Sequence, residues 1–293
     1  MMPKTDLLVI INPLSGTLPP VQKEGLRAFI AAEADRQAYQ AEIVTTAYAG
    51  HATQLAAQAV QQGIRRVLVM GGDGTINETA RALRRTATAL GIVPMGSGNG
   101  LARHLGLPMN PQKAVVRALG GKPVLIDSGE LNDHPFFCTA GLGFEAYVAH
   151  EFAKQPVRGL QTYIRTTYQA FWSYKPAEYT IDGEKAGALF SLTAANAGQF
   201  GNNAWIAPTA NIADGKLDLC QLGIFPTHMV SMIGWQLFRK SLNRSAYWAG
   251  RRIQEATIQS TGPLLAHADG EPLLLPGNSC TVRVLPGSLL VLL

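Results

Sequence analysis

The stretch Val67-Leu68-Val69-Met70-Gly71-Gly72-Asp73-Gly74-Thr75-Ile76-Asn77-Glu78 decides how the chain is read. Four apolar residues run directly into three glycines set around one aspartate, and a helix-like segment follows. An apolar run of this length bounded by glycine reads as a strand buried on both faces, hence a strand of a parallel sheet. The turn then stands at the strand's carboxyl end, where open α/β sheets bind ligands. Glycines there let backbone N–H groups approach an anion, and the following helix adds its positive end. Asp73 does not fit a plain anion cradle. A carboxylate among such amides repels a phosphate unless a cation stands between them, so the turn points to a nucleotide phosphate with Mg2+. A glycine-rich turn that only reverses the chain fits the same residues. Neither GxxxxGK[ST] nor GxGxxG occurs in this run, so the P-loop and Rossmann fingerprints find no support.

Outward from this turn, strands and helices alternate. Residues 6–11 read as a strand, 12–16 as a turn, 21–36 as a helix and 42–46 as a second strand. A helix is expected from His51 to Gly63, another over 76–85 and a fourth strand over 89–93, a pattern that predicts a parallel sheet. The fourth strand runs into a second glycine-rich turn, Pro94-Met95-Gly96-Ser97-Gly98-Asn99-Gly100, which opens a helix that Ser97 or Asn99 would cap. Beyond about Pro123 the pattern changes to strand-like runs, with Asp182-Gly183 as a hairpin turn and helices near 148–172 and 227–242. The expected architecture is therefore an α/β nucleotide-binding domain with a parallel sheet over 1–125, followed by a β-rich, sandwich-like domain over 126–293.

Bulk properties narrow the function classes. The chain has 293 residues, 47% hydrophobic and 15% charged, enough for a real core and two domains. A net charge of +5 suits anionic ligands or an anionic membrane surface, but the basic residues are too dispersed to argue for nucleic acid. Cys138, Cys220 and Cys280 stand far apart without a CxxC, so they read as buried free thiols in a reducing, cytoplasmic setting. Residues 219–238 carry no charge but are broken by Pro226 and several polar residues, which argues against a membrane span. The aromatic group Tyr163, Tyr168, Phe171, Trp172 and Tyr174 reads as packing under the β-rich half, with a lipid-tail path as the other reading. Residues 229–244 read as a core-facing helix, with bilayer contact as the alternative.

Four signatures stand in a fixed order: Asn12-Pro-x-Ser-Gly16, Gly71-Gly-Asp-Gly-Thr-x-Asn-Glu78, Pro94-Met-Gly-Ser-Gly-Asn-Gly-Leu-Ala102 and Asp269-Gly-Glu271. Between them lie Gly141-Leu-Gly-Phe144 and Ala207-Pro-x-Ala-x-x-x-Asp-Gly-x-Leu-Asp218. Together these resemble the diacylglycerol kinase catalytic-domain family, which includes bacterial lipid kinases and sphingosine kinases. The resemblance covers nearly the whole chain. It implies an active site in the cleft between the two domains. ATP would bind on Gly71, Gly72, Asp73, Gly74, Thr75, Ile76 and Asn77, with Asn12, Thr46 and Ser97 at nucleotide positions. Gly100 replaces the family's usual acidic residue. Glu271 would accept the proton of the attacking hydroxyl, with Asp73 and Asp269 as catalytic partners. A structural Mg2+ would be held by the Asp214 side chain and by the carbonyls of Asn211 and Lys216. Asp127 would join the Mg2+ network or contact the lipid head group.

These expectations amount to an ATP- and Mg2+-dependent kinase for a lipid hydroxyl, on diacylglycerol, a sphingoid base or a related alcohol. Peripheral contact with a membrane surface and no nucleic-acid partner are expected, and the oligomeric state is open, a homodimer included. Two rivals stay in view: an NAD kinase, which shares the GGDG turn, and a lipid- or nucleotide-binding regulator without turnover.

Overall fold

The computed structural model describes residues 5–16, 19–157 and 159–293; the first four residues of the chain lie outside it. The chain divides into two compact units, Met1–Ile126 with Gly287–Leu293, and Asp127–Pro286.

The first unit carries β1 (Leu7–Ile11), α1 (Pro20–Arg36), β2 (Ala41–Thr45), α2 (His51–Gln61), β3 (Arg66–Gly71), α3 (Asp73–Leu83), β4 (Ala89–Pro94), α4 (Gly100–His104) and α5 (Pro111–Gly120). Its strands run parallel in the order β4-β3-β1-β2. Every residue of β1 and β4 is buried, as expected of strands covered on both faces. Successive side chains alternate between those faces. Leu7, Val9, Ile11, Leu68, Met70 and Val93 pack with Leu26 and Ile30 of α1 and with Val115 and Leu119 of α5. The intervening residues therefore face the layer formed by α2 and α3. The start signals of α5 are local: Pro111 stands in the first turn, and the Asn110 side chain accepts the Lys113 N–H at 3.1 Å. The chain's end returns here. Val291 pairs in parallel with Leu90 of β4, and Leu293 exchanges backbone hydrogen bonds with Lys122. Residues 287–293, assigned from sequence to the second domain, thus cluster with the first unit.

β5 (Pro123–Leu131) leads into the second unit, which continues with β6 (His134–Phe136), β7 (Thr139–Gly143), α6 (Phe144–Ala153), α7 (Leu160–Ser173), β8 (Ala177–Ile181), β9 (Glu184–Ala195), β10 (Gln199–Gly201), β11 (Ala204–Trp205), β12 (Leu217–Gly223), α8 (Val230–Phe238), β13 (Trp248–Ile253), β14 (Glu255–Ser260), β15 (Leu264–Ala268), β16 (Glu271–Leu275) and β17 (Ser279–Leu292). Pairing in this unit is antiparallel, with β9 bonded to β7, β8 and β12. One face of the sheet buries Leu142, Leu192, Ala266, Leu275 and Val282. The other packs Ile206, Cys220 and Leu222 against Ile233 of α8. The Asp182-Gly183 hairpin forms as expected, with positive φ at both residues and Ile181 facing Glu184.

Candidate active site

Three turns at the carboxyl ends of β1, β3 and β4 converge. Asn12 donates from Nδ2 to Thr75 Oγ1 at 2.8 Å, and the Gly72 N–H donates to Ser15 Oγ at 3.2 Å, so the first turn is tied to the second. The second and third turns touch backbone to backbone. A Cβ on Gly96 would lie 2.9 Å from the Gly72 Cα, so a side chain there would push the turns apart.

Asp73 joins these turns chemically. Its Oδ2 accepts the Asn99 N–H and its Oδ1 accepts the Gly100 N–H, each at 2.8 Å. The cap expected from Ser97 or Asn99 therefore comes from another turn. Asn99 instead bonds Gly96 through both ends of its amide, at 2.9 and 2.7 Å, and Ser97 is exposed. Arg103 closes the turn by donating to the Gly98 carbonyl. Hydrogen bonds to a charged acceptor contribute about 1.5–3 kcal/mol each, so the Asp73 pair is a main tie between the two glycine turns.

No side chain caps the start of α3. The first-turn amides of Asp73, Gly74 and Thr75 make no hydrogen bond among the described residues, while the ladder begins with the Ile76 N–H on the Gly72 carbonyl. Open first-turn amides at the positive end of a helix form an anion site. Gly74 is exposed, whereas the Thr75, Ile76 and Asn77 side chains are buried. These three therefore offer backbone rather than side chain to a ligand, and Asn77 Nδ2 is buried without a partner. Thr46 is half-buried just past β2, its N–H on the Ile11 carbonyl. The following loop is fastened to α3, because Glu78 accepts the Gly50 N–H at 2.9 Å. It carries Tyr48 stacked on His51 at 4.7 Å. Ser15 and Glu78 were not among the expected site residues, because their partners Gly72 and Gly50 are remote in sequence.

In the second unit, Asp269-Gly270 is the turn of the β15–β16 hairpin, with positive φ at both residues. The Asp269 carboxylate accepts the N–H groups of Phe137, Cys138 and Thr139 at 2.7, 2.7 and 3.0 Å. It anchors the turn rather than facing solvent. Glu271 is exposed, and its carboxylate makes no hydrogen bond among the described residues. Of the two acids, only Glu271 is exposed with its carboxylate unengaged among the described residues.

Residues 6–131 match the model of the diacylglycerol kinase catalytic domain, and 139–293 match the YegS C-terminal NAD kinase beta sandwich-like domain. A Chromohalobacter salexigens protein named probable lipid kinase YegS-like is 35% identical over 224 residues, 73% of this chain and 70% of that protein. The chain belongs to the diacylglycerol kinase catalytic-domain family. It is a kinase. A Pseudomonas aeruginosa protein with the same name is 30% identical, over 92% of this chain and 89% of that protein. The fold is shared with a crystal structure described as a diacylglycerol kinase from Bacillus anthracis, at a TM-score of 0.74 and 20% identity, over 98% of this chain and 96% of that one.

The family's metal loop can be tested on its donors. Asp214 Oδ1 accepts the Lys216 N–H at 3.1 Å, and its Oδ2 lies 3.6 Å from Arg252 Nη1. Asn211 turns its side chain back onto the Ala213 N–H. Buried Asp127 accepts the Gly215 N–H at 2.7 Å, so it braces this loop. Asp218 lies 3.9 Å from Arg252 Nε; burial pushes its carboxyl up, Arg252 opposes the rise and Asp214 adds to it. Among the described residues no cluster of three or more His, Cys, Asp or Glu forms a metal cage. The set that the resemblance implies here is one carboxylate with two carbonyls, and Asp214 keeps lone pairs beyond its bond to the Lys216 N–H, so its chemistry fits a hard cation.

A second polar group lies in the row His267–Gly141–Thr193 across β15, β7 and β9. Glu145, at the start of α6, reaches over Gly141, whose missing Cβ leaves its Oε1 room; Thr193 donates to that oxygen at 2.5 Å. Burial pushes the Glu145 carboxyl up to about 6, opposed by the Ser191 and Thr193 hydroxyls. His267, buried, is pushed down to about 4 by burial and then by His150. Its Nδ1 accepts the Gly270 N–H at 3.3 Å, so neutral His267 supports the turn that carries Glu271. This pair was not singled out from the sequence.

Proposed function

We propose that this kinase transfers the γ-phosphate of ATP to a hydroxyl of a lipid acceptor: diacylglycerol, a sphingoid base or a related alcohol. The observation that carries the reading is the uncapped first turn of α3 at the meeting of three turns, which suits a phosphate chain. The names of the relatives support a lipid as acceptor.

In this reading residues 1–125 bind the nucleotide and 126–293 the lipid. The amides of Asp73, Gly74 and Thr75, with Gly71, Gly72 and Ser97, hold the phosphates, while Asn12 and Thr46 border them. Ile76 and Asn77 contribute through the backbone. Magnesium enters with ATP, and its charge would neutralise that building on the phosphates. Asp73 suits holding it, because each carboxylate oxygen keeps a lone pair beyond its amide bond. The acceptor oxygen bonds to the γ-phosphorus as the bond to the ADP oxygen breaks, and Glu271 takes the hydroxyl proton. Asp269 keeps Glu271 in place. Three buried free thiols agree with work in a reducing cytoplasm, at the membrane periphery.

The test offers γ-labelled ATP with NAD and mixed lipids side by side. Label in the organic phase supports the reading. Label on NAD, or saturable ATP binding without transfer, replaces it with one of the rivals.

A further inference from the structure

The helices of the second unit expose apolar side chains in an ordered way. On α7, Leu160, Ile164, Tyr168 and Trp172 follow one another at four-residue steps, and all are exposed, Tyr168 by 67% and Trp172 by 63%. That spacing forms a ridge along one face. Thr166 and Ala170 are buried on the opposite face. α8 is split in the same way: Ile233 and Leu237 pack inward, while Met232, Trp235 and Phe238 are exposed, Trp235 by 59%. The expectation that 229–244 simply faces the core holds for one side of this helix only. The two helices are joined through rings. Phe171 and Tyr174 at the end of α7 meet Phe190 of β9 at 6.0 and 5.6 Å, and Phe190 meets Phe225 at 4.9 Å. Phe190 and Phe225 both pack on the cluster that holds Ile233.

Charge says what covers this surface. Residues 152–177 and 219–254 contain no Asp or Glu. Arg165, Lys175, Arg239, Lys240 and Arg244 are exposed and form no ion pair among the described residues. Arg239 lies over the Trp235 ring at 5.7 Å, and Lys240 Nζ lies 3.8 Å from the Trp205 ring centroid. Exposed aromatic and aliphatic side chains set among unpaired cations match the interface of an anionic bilayer, where rings sit at head-group depth and cations meet lipid phosphates. No helix of the described residues is long and apolar enough to cross a membrane, so such contact lies in the interfacial plane.

We propose that the exposed faces of α7 and α8 form one docking surface for an anionic lipid bilayer. The assignment deepens the lipid-kinase reading and rests on it for its purpose, but the binding itself can be measured without turnover. The probe is co-sedimentation of the full chain with phosphatidylcholine vesicles, with and without about 30% phosphatidylglycerol. The variants are Ile164→Ser with Trp172→Ser, Trp235→Ser with Phe238→Ser, and Arg239→Gln with Arg244→Gln, each checked for an unchanged melting temperature. Wild type is expected to bind the anionic vesicles at least ~10-fold more tightly than the neutral ones, and each pair of changes to lose ~10-fold or more. Turnover of a short-chain soluble acceptor by the variants stays at the wild-type level. Equal binding to both vesicles, variants that bind like wild type, or a wild-type dimer that the apolar variants dissociate would each overturn the assignment. Vesicle binding without lipid phosphorylation would instead sink the kinase acceptor and leave the surface standing.

Discussion

Replacing Asp269 by Ala leaves three N–H groups, of buried Phe137, Cys138 and Thr139, without their acceptor. Each orphaned donor costs about 1–3 kcal/mol, so the variant should lose several kcal/mol in a denaturant melt and lose activity with it. Glu271→Gln should separate the two quantities: an unchanged melt, with kcat lower by about 100-fold, the share expected of a lost general base. Glu145 gives a pH signature. Its folded pKa, about 6, lies above the ordinary carboxylate value, so the folded state holds the extra proton and wild-type stability falls as pH rises from about 4.5 to 6. Glu145→Gln removes this, and its stability relative to wild type should climb by about 2 kcal/mol over that window. A flat difference would show that the carboxyl is not desolvated. His267, pushed down, acts with the opposite sign: its contribution is lost as pH falls from about 6.5 towards 4. The comparison must therefore be made between variant and wild type at each pH. At this scale the sequence revealed residue types but not partners. Asp73 bonds backbone groups 26 and 27 residues away, a pairing no local pattern carries.

Elements were more legible, because periodicity and turn chemistry are local. The buried run of β3, the glycine turn after it and the Asp-Gly hairpins all follow from their own residues. The face a helix presents does not. α8 reads as an amphipathic, core-facing helix, and only its packing on Ile206 and Leu222 shows that Ile233 is inside and that Trp235 and Phe238 are left outside. Two predictions belong here. In Gly96→Ala the new Cβ would stand 2.9 Å from the Gly72 backbone, so the two glycine turns must separate. Calorimetry should show ATP binding weakened by about tenfold or more, the cost of moving backbone around a phosphate site. Asp214 in the 211–216 loop keeps lone pairs beyond its bond to the Lys216 N–H, so adding Mg2+ should raise the melting temperature and a chelator should lower it again. Arg252→Ala, which removes the cation beside Asp214 and Asp218, should make that rise larger. A wild-type melt that moves with neither Mg2+ nor chelator would show that the loop holds no ion.

For the whole molecule, the change from alternating strands and helices to β-rich sequence near residue 123 marked two parts, and the described units divide close by, after Ile126. What the pattern hid is the return of the last residues to the first unit, because a final apolar strand can pair with either sheet until a partner such as Leu90 is known. The ordered motifs were the strongest signal of activity, and the relatives carry it as far as a kinase. The acceptor is decided by chemistry on the product. Mass spectrometry of a total lipid extract incubated with ATP, Mg2+ and the full chain should reveal a new phosphate monoester on a lipid hydroxyl, formed about 100-fold more slowly with Glu271→Gln. An extract left unchanged by wild-type protein, with phosphate found only on water-soluble acceptors, would contradict the account.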